Sequence, residues 1–271
     1  MSIELPKYLI DTPENFNLLD YDPNESGIKN SKKNEIKEVG KSLNKELEEL
    51  QEKLYAENKH KILIILQGMD ASGKDGTVRQ VFEGVNPQGV DVVSFKAPSK
   101  EELAHDYLWR IHNNVPAKGQ MVIFNRSHYE DVLVVRVKEL VEQSVWEKRF
   151  DHINNFEKML ADEGVTILKF FLHISKDEQK ERLLERLEYD EKHWKFNPAD
   201  LKERTRWDDY MNAYQDVIRK TSTPWAPWII VPANRKWIRN HIIAHYLVKS
   251  LKDLNIELPM IDFPPEVYQF K

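Results

Sequence analysis

Residues 61–77 read KILIILQGMDASGKDGT. The first seven positions form a short apolar run, typical of a strand buried in a parallel sheet. The next seven, Gly68 to Lys74, fit the pattern G-x-x-x-x-G-K, and a helix is expected to open at Gly76-Thr77. A buried strand, a glycine-containing loop and a helix in this order predict a phosphate-binding loop.

This loop would supply two kinds of positive charge. Its backbone N–H groups and the helix N-terminus carry partial charge, and the Lys74 ammonium carries a full charge. We therefore predict that Lys74 is catalytic and that the whole turn contacts phosphate. The candidate contacts are Gly68, Ala71, Ser72, Gly73, Lys74, Asp75, Gly76 and Thr77.

Two carboxylates interrupt the loop. Asp75 stands where the usual pattern has a Ser or Thr whose hydroxyl binds Mg²⁺. Carboxylates repel phosphates unless a cation lies between them, and Mg²⁺ usually takes one or two carboxylates, so we predict that Asp70 holds Mg²⁺. A general-base role for Asp70 is the weaker alternative, since phosphate acceptors are largely ionised at pH 7. For Asp75, a position beside the phosphates and a favourable charge at the helix N-terminus both remain open.

A second candidate site follows another apolar strand. Residues 121–129 read MVIFNRSHY, so Asn125 and Arg126 come directly after the strand. Ligands of open α/β sheets bind at the carboxyl ends of strands, and an arginine there can clamp phosphate oxygens. We predict that Arg126 is catalytic together with Asp70 and Lys74, as in the arrangement associated with nucleoside-monophosphate and thymidylate kinases.

Strands and helices alternate through the rest of the chain, which predicts an α/β fold with five parallel strands flanked by helices. The strands are expected at 61–67, 91–96, 120–125, 165–173 and 228–231, and the helices at 35–58, 77–83, 99–113, 147–162, 176–187 and 236–254. We expect one domain over 1–271, with an N-terminal arm and helix at 1–58, a core at 59–187 and 224–271, and a lid at 188–223.

Composition narrows the class of protein. The 271 residues include 40 Lys+Arg and 45 Asp+Glu, a formal charge of −5, which argues against nucleic-acid binding. The chain has no cysteine, which excludes disulfides, thiolate nucleophiles and cysteine-ligated metals. No apolar run approaches the ~20 residues of a membrane span, and the first residues lack signal-peptide features, so we expect a cytoplasmic protein with no membrane partner.

Several long motifs in order resemble the family-2 polyphosphate kinases. They are GMDASGKDGT (68–77), FNRSHYEDVL (124–133), HWKFNPADLKERTRWDDY (193–210) and APWIIVPANRKW (226–237). The resemblance implies a P-loop kinase fold, related to thymidylate kinases, with a helical lid. It also implies phosphoryl transfer between inorganic polyphosphate and nucleotides, with Mg²⁺, or Mn²⁺ in its place, as cofactor. The expected assembly is a homo-oligomer, a dimer or a tetramer.

The resemblance also implies roles for individual residues. Asp70 and Lys74 match essential positions, and Arg126 matches a phosphate contact. Arg182 and Arg186 match lid residues that contact the phosphate chain. Asn125 stands where many members have a metal-binding Asp. The subset with Asn is associated with phosphorylating both AMP and ADP, and guanine nucleotides are further candidate acceptors.

A wider set of residues could extend the site. It comprises Lys96, Arg110, Tyr129, Arg136, Lys192 and Lys195. Two other functions remain open from the sequence: an ATP-dependent nucleoside-monophosphate kinase and a non-catalytic module that binds nucleotide or polyphosphate.

Overall fold

The computed structural model describes residues 5–25 and 33–260. Its strands span Lys61–Gln67 (β1), Val90–Ser94 (β2), Met121–Asn125 (β3), Val165–His173 (β4) and Trp228–Pro232 (β5). Its α-helices span Lys33–Glu57 (α1), Lys74–Val81 (α2), Lys100–Ala104 (α3), Trp109–His112 (α4), Glu130–Val137 (α5), Gln143–Asp162 (α6), Lys176–Glu188 (α7), Pro198–Thr205 (α8), Trp207–Thr221 (α9) and Lys236–Asp253 (α10).

The strands form one parallel sheet in the order β2-β3-β1-β4-β5. This confirms the predicted α/β fold with five parallel strands. The central strand β1 is buried from Ile62 to Gln67, which explains its unbroken apolar sequence. Because β1 lies between β3 and β4, the chain leaving β1 enters the crevice where ligands of such sheets bind.

Two groups of helices cover the sheet. In one group α1 packs on α10, and α10 packs on β4 and β5. The apolar side of α1, including Leu47 and Leu54, is thereby buried within the chain. The other group contains α5, α6 and α9. The arm joins this body, because Ile10 N donates to Trp228 O at 2.9 Å and Phe16 and Leu18 are buried. Residues 1–4 and 26–32 of the predicted arm lie outside the described residues.

The helix predicted over 99–113 is wrong as one element. The structure has two short helices, α3 and α4, separated at His105. Ser99 and Glu102 form a capping box that starts α3. The Asp106 carboxylate then accepts from the Leu108 N–H at 3.0 Å. This local bond replaces the helical one and ends the helix.

The predicted lid range, 188–223, contains a helix that belongs to the body. Helix α9 buries Ala213, Val217 and Ile218 in the core and packs on α5 and α6. Residues 188–206 differ from α9 in packing, because neither the Asp190–Lys195 turn nor α8 has a buried residue. We therefore narrow the proposed lid to residues 188–206, and the name lid is kept for that segment below.

A buried histidine predicts a pH-dependent stability. Burial lowers the pKa of His173, at the end of β4, to about 4. Between pH 6.5 and 4 the unfolded chain therefore binds a proton that the folded protein excludes, so the free energy of unfolding falls as the pH falls, by at most about 3 kcal/mol from this group. We expect His173→Gln to remove this part of the slope in urea titrations across that range. His152→Gln, at an exposed site, should keep the slope. Equal slopes in wild type and His173→Gln would contradict the prediction.

Candidate active site

A cavity of about 540 Å³ opens at the carboxyl edge of the sheet. It is bounded by the turn after β1, the ends of β2 and β3, helix α7, the lid and the start of α10. Its lining cations are Lys74, Lys96, Arg126, Arg182, Arg186, Lys192, Lys195, Lys236 and Arg239, and its lining acids are Asp70, Asp75, Glu185 and Asp200. A chain with net charge −5 thus concentrates an excess of five positive charges here, as expected for a site that binds a polyanion.

The turn after β1 has the backbone of a phosphate-binding loop. Gly73 has φ +106° and leads directly into α2, and Ala71 has φ +62°. The first N–H groups of α2 have no partner within the helix, and Gly73, Asp75 and Gly76 of this turn line the cavity. This backbone is compatible with the predicted N–H contacts to phosphate, which stay a prediction.

Three predicted phosphate contacts lie behind the loop. Ser72 and Thr77 are fully buried, and none of Gly68, Ser72 and Thr77 lines the cavity. Gly68 backs onto β4, because a Cβ there would lie 2.7 Å from Leu172 O. The side chains of Ser72 and Thr77 therefore shape the loop, and backbone contacts from these three positions to phosphate stay a prediction.

Gly73→Ala is expected to damage both stability and activity. An added Cβ would lie 1.8 Å from Nη1 of Arg239, and alanine is strained at φ +106°. Gly164 is a matched control, since its φ is +83° and a Cβ there meets nothing within 4 Å. We expect both alanine variants to lose about 1–3 kcal/mol of unfolding free energy through backbone strain. Only Gly73→Ala should also lose kcat/KM, by about 100-fold, because the loop must shift. Wild-type kcat/KM in Gly73→Ala would contradict this geometry.

Lys74 is buried against its own loop. Its Nζ donates to Gly68 O at 2.7 Å and to Met69 O at 3.3 Å. Burial, and then the positive charge of Arg126, lower the pKa of Lys74 to about 8, although the charge of Asp70 opposes the shift. A desolvated ammonium in this position interacts more strongly with phosphate than one in water.

Asp70 and Arg126 form an ion pair beside Lys74. Arg126 Nη2 lies 2.7 Å from Asp70 Oδ1, and Arg126 has φ +62° where the chain turns after β3. Burial alone would raise the pKa of Asp70, but Lys74 and Arg126 hold it below its usual range. Asp70 is therefore ionised at neutral pH and a weak base, which suits a cation ligand better than a proton acceptor.

The donor set fits Mg²⁺. Asp70, Asp75 and Asn125 line the same cavity, and all three present oxygen atoms. Asn125 Nδ2 donates to Asp75 Oδ1 at 2.7 Å. Among the described residues no three His, Asp or Glu side chains cluster as a complete metal cage. Mg²⁺ bound by one or two carboxylates with substrate phosphates needs no such cage.

Arg182 binds the protein backbone rather than open space. Its Nη1 donates to Ala71 O and Ser72 O at 2.9 and 3.0 Å, and its Nη2 donates to Ala233 O and Asn234 O at 2.7 and 2.9 Å. Arg182 thus ties the phosphate loop to the chain after β5. The N–H groups of Arg182 thus already donate within the protein, although Arg182 also lines the cavity, and its contact with a phosphate chain stays a prediction.

Arg186 lies one turn further along α7 and holds the lid. Its Nη1 donates to Asp200 Oδ2 at 2.9 Å and to Lys195 O at 3.2 Å. Arg186 also lines the cavity, together with the predicted Lys96, Lys192 and Lys195. These four cations form a path from the phosphate loop to the lid.

Three other predicted residues do not line the cavity. Tyr129 is fully buried, and its hydroxyl donates to Glu157 Oε1 at 2.7 Å and accepts from Lys169 Nζ at 2.8 Å. Arg136 pairs with Asp216 of α9 at 2.7 Å, outside the cavity lining. Arg110 is buried and donates to Lys96 O at 2.9 Å. They support the fold, because their polar atoms are satisfied inside the protein.

Two cations of the cavity were missed by the sequence prediction. Lys236 and Arg239 lie on the first turn of α10. Arg239 is buried, donates to Ser72 O at 3.3 Å, and has no carboxylate partner among the described residues. Burial, and then the charge of Arg182, lower its pKa to about 9. The motif APWIIVPANRKW contains Lys236 and ends at Trp237, and the helical spacing of Lys236 and Arg239 was the available signal.

The sheet order, the glycine loop and the cationic cavity define a P-loop fold of the kinase type with a site for phosphorylated ligands. Residues 29–259 match the family model described as Polyphosphate kinase 2. The chain therefore belongs to the polyphosphate kinase 2 family, which confirms the resemblance seen in the sequence.

Curated relatives and solved structures support the same family assignment. The chain is 56% identical over 255 residues to the AMP/ADP-polyphosphate phosphotransferase of Meiothermus ruber, covering 94% of this chain and 96% of the relative. It is 46% identical to the ADP-polyphosphate phosphotransferase of Rhodopseudomonas palustris, covering 79% and 78%. The crystal structure of polyphosphate kinase 2 from Arthrobacter aurescens TC1 superposes with a TM-score of 0.90 at 44% identity, covering 93% of this chain and 91% of that one. Among the described residues, no helix is long and apolar enough to cross a membrane.

Proposed function

We propose that the chain transfers phosphoryl groups from inorganic polyphosphate to AMP and to ADP, in a reaction that requires Mg²⁺ or Mn²⁺. The observation that carries this proposal is the excess of five positive charges lining one cavity of an acidic protein. Membership of the family and the name of the relative at 56% identity support both acceptors. Nucleic acid is not a proposed partner.

The reaction needs positioning and charge neutralisation more than proton transfer. An oxygen of the acceptor's terminal phosphate attacks the terminal phosphorus of polyphosphate. The bridging P–O bond breaks as the new bond forms, and the chain leaves one phosphate shorter. The attacking oxygen is largely ionised at neutral pH, so no side chain has to remove a proton. Catalysis then depends on aligning the two substrates and stabilising equatorial charge.

The described residues can divide this work. Lys74 and the first N–H groups of α2 would bind the transferring end of the phosphate chain. Arg126, 2.7 Å from Asp70, would neutralise the phosphoryl group in transfer. Asp70 would hold Mg²⁺, which when bound neutralises charge on the phosphate oxygens of both substrates. Arg186, Lys192 and Lys195 would guide the rest of the chain.

The lid would exclude water from this site. Residues 188–206 bury little surface of their own and are held by the pair of Arg186 with Asp200. Exclusion of water matters because hydrolysis of polyphosphate competes with transfer.

We further propose a homo-oligomer and a cytoplasmic location, the latter because nucleotides are cytoplasmic substrates. Light scattering and cell fractionation test these two points.

The acceptor range is tested by following products over time. Purified protein is incubated with long-chain polyphosphate, Mg²⁺ and AMP, ADP, GMP or GDP, and the nucleotides are separated by chromatography. AMP should give ADP and then ATP, and the guanine series measures base selectivity. If ADP gives ATP while AMP stays unchanged, the proposal of two acceptors fails although the donor stands.

A further inference from the structure

We infer that Asp75 is the second carboxylate of the metal site and that Asn125 orients it, so that strand β3 contributes an amide and helix α2 contributes the charge. This inference rests on the proposed function, because it concerns the same Mg²⁺-dependent site. It assigns a role to the residue that replaces the hydroxyl of the usual loop.

The contact between the two side chains carries the argument. Asn125 lies at the end of β3 and Asp75 on the first turn of α2, and their side chains meet at 2.7 Å. A carboxylate oxygen can only accept a hydrogen bond, so the amide must present its N–H. The second carboxylate oxygen of Asp75 and the amide oxygen of Asn125 accept no hydrogen bond from any other described residue.

The placement is right for a metal held beside phosphates. Asp75 follows Lys74 directly and lines the cavity with Asp70. In P-loop proteins the residue after the lysine reaches Mg²⁺ through a hydroxyl. A carboxylate at the same position is a better ligand for Mg²⁺, which takes one or two carboxylates in such sites. Groups that hold a metal ligand through hydrogen bonds fix its orientation, and this is the role assigned to Asn125.

Charge explains why residue 125 is an amide. A carboxylate at position 125 would lie 2.7 Å from Asp75 and would bring three acidic side chains beside the substrate phosphates. Like charges at that distance repel each other. With Asn125 the carboxylates number two, Asp70 and Asp75, and the amide turns a repulsive contact into a hydrogen bond.

The competing role for Asp75 is a simple helix charge. Acidic residues in the first turn stabilise a helix through its dipole. Asp177 supplies a matched control, because it is the second residue of α7 just as Asp75 is the second residue of α2. Asp177 is exposed and does not line the cavity. A helix-charge role predicts equal behaviour of Asp75→Asn and Asp177→Asn.

The test is Mn²⁺ binding, measured by electron paramagnetic resonance on the full chain saturated with ADP. We expect Asp75→Asn to weaken Mn²⁺ binding by about 10-fold or more, and Asp177→Asn to leave it unchanged. Asn125→Asp alone should not strengthen binding tenfold, since the added charge faces Asp75. The exchange variant carrying both Asp75→Asn and Asn125→Asp should regain most of the lost affinity, because one carboxylate and one amide again face each other.

The outcomes separate this inference from the proposed function. A wild-type Mn²⁺ affinity in Asp75→Asn overturns the inference. So does a wild-type protein whose ADP complex binds Mn²⁺ no more tightly than ADP alone. An exchange variant as weak as Asp75→Asn, with wild-type thermal stability, also overturns it. Transfer from polyphosphate is assayed separately on the wild-type protein. The transfer can therefore be found while the metal-ligand role of Asp75 is refuted, and the metal-ligand role can be found while the transfer is not.

Discussion

Asp70→Asn should lower kcat/KM for transfer from polyphosphate by about 10³-fold or more. A bound metal contributes several kcal/mol of charge stabilisation, and each 1.4 kcal/mol changes a rate tenfold. The substitution keeps the size of the side chain and removes its charge. We expect part of the loss to be recovered as the Mg²⁺ concentration rises, because mass action compensates for a weaker ligand.

The dependence on Mg²⁺ distinguishes the two roles considered for Asp70. Loss of a general base would not respond to the metal concentration. Asp91→Asn is the control, since Asp91 is exposed on the edge strand β2 and does not line the cavity. It should keep wild-type kinetics. A near wild-type rate for Asp70→Asn at ordinary Mg²⁺ concentration would show that Asp70 is not the metal ligand.

Arg126→Ala should lower kcat by about 10³-fold, the effect of removing an arginine that stabilises a transferring phosphoryl group. Arg126 is placed for this role by its left-handed turn after β3 and by its contact with Asp70. Arg126→Lys should recover only part of the rate, because an ammonium keeps the charge but lacks the planar pair of donors.

Two measurements distinguish a catalytic effect of Arg126→Ala from an effect of unfolding. Arg79→Ala removes an exposed arginine from the last turn of α2, outside the cavity, and should leave kcat unchanged. Thermal unfolding should show that Arg126→Ala is folded at the assay temperature. If folded Arg126→Ala has wild-type kcat and only a raised KM, Arg126 binds substrate equally in ground and transition states and is not catalytic.

The fold could be predicted in detail where local pattern and tertiary burial agree. Strands β1 and β4 were predicted with the bounds that the structure has, because apolar-rich runs of this length are typical of strands with both faces covered. Helix α5 was missed. Its run of valines favours a strand by propensity, and it is helical because it packs against α6 and α9.

The site could be predicted only in part. Lys74, Asp70 and Arg126 follow strand ends that a parallel sheet brings to one edge, so their proximity could be inferred from the sequence. Arg239 could not be placed, because it reaches the loop from α10, the last helix of the described chain. Tyr129 was assigned to the site because it lies in the same motif as Arg126, but its side chain points into the core toward Glu157 and Lys169.

The identity of the phosphoryl donor distinguishes a polyphosphate kinase from a nucleoside-monophosphate kinase. The most direct measurement incubates the purified wild-type protein with AMP and Mg²⁺, and with either long-chain polyphosphate or ATP at the same concentration of terminal phosphate. The nucleotides are then separated by chromatography. We expect ADP and then ATP to form from polyphosphate, at a rate far above any transfer from ATP. Transfer from ATP alone would contradict the account and would make the protein an ordinary nucleoside-monophosphate kinase.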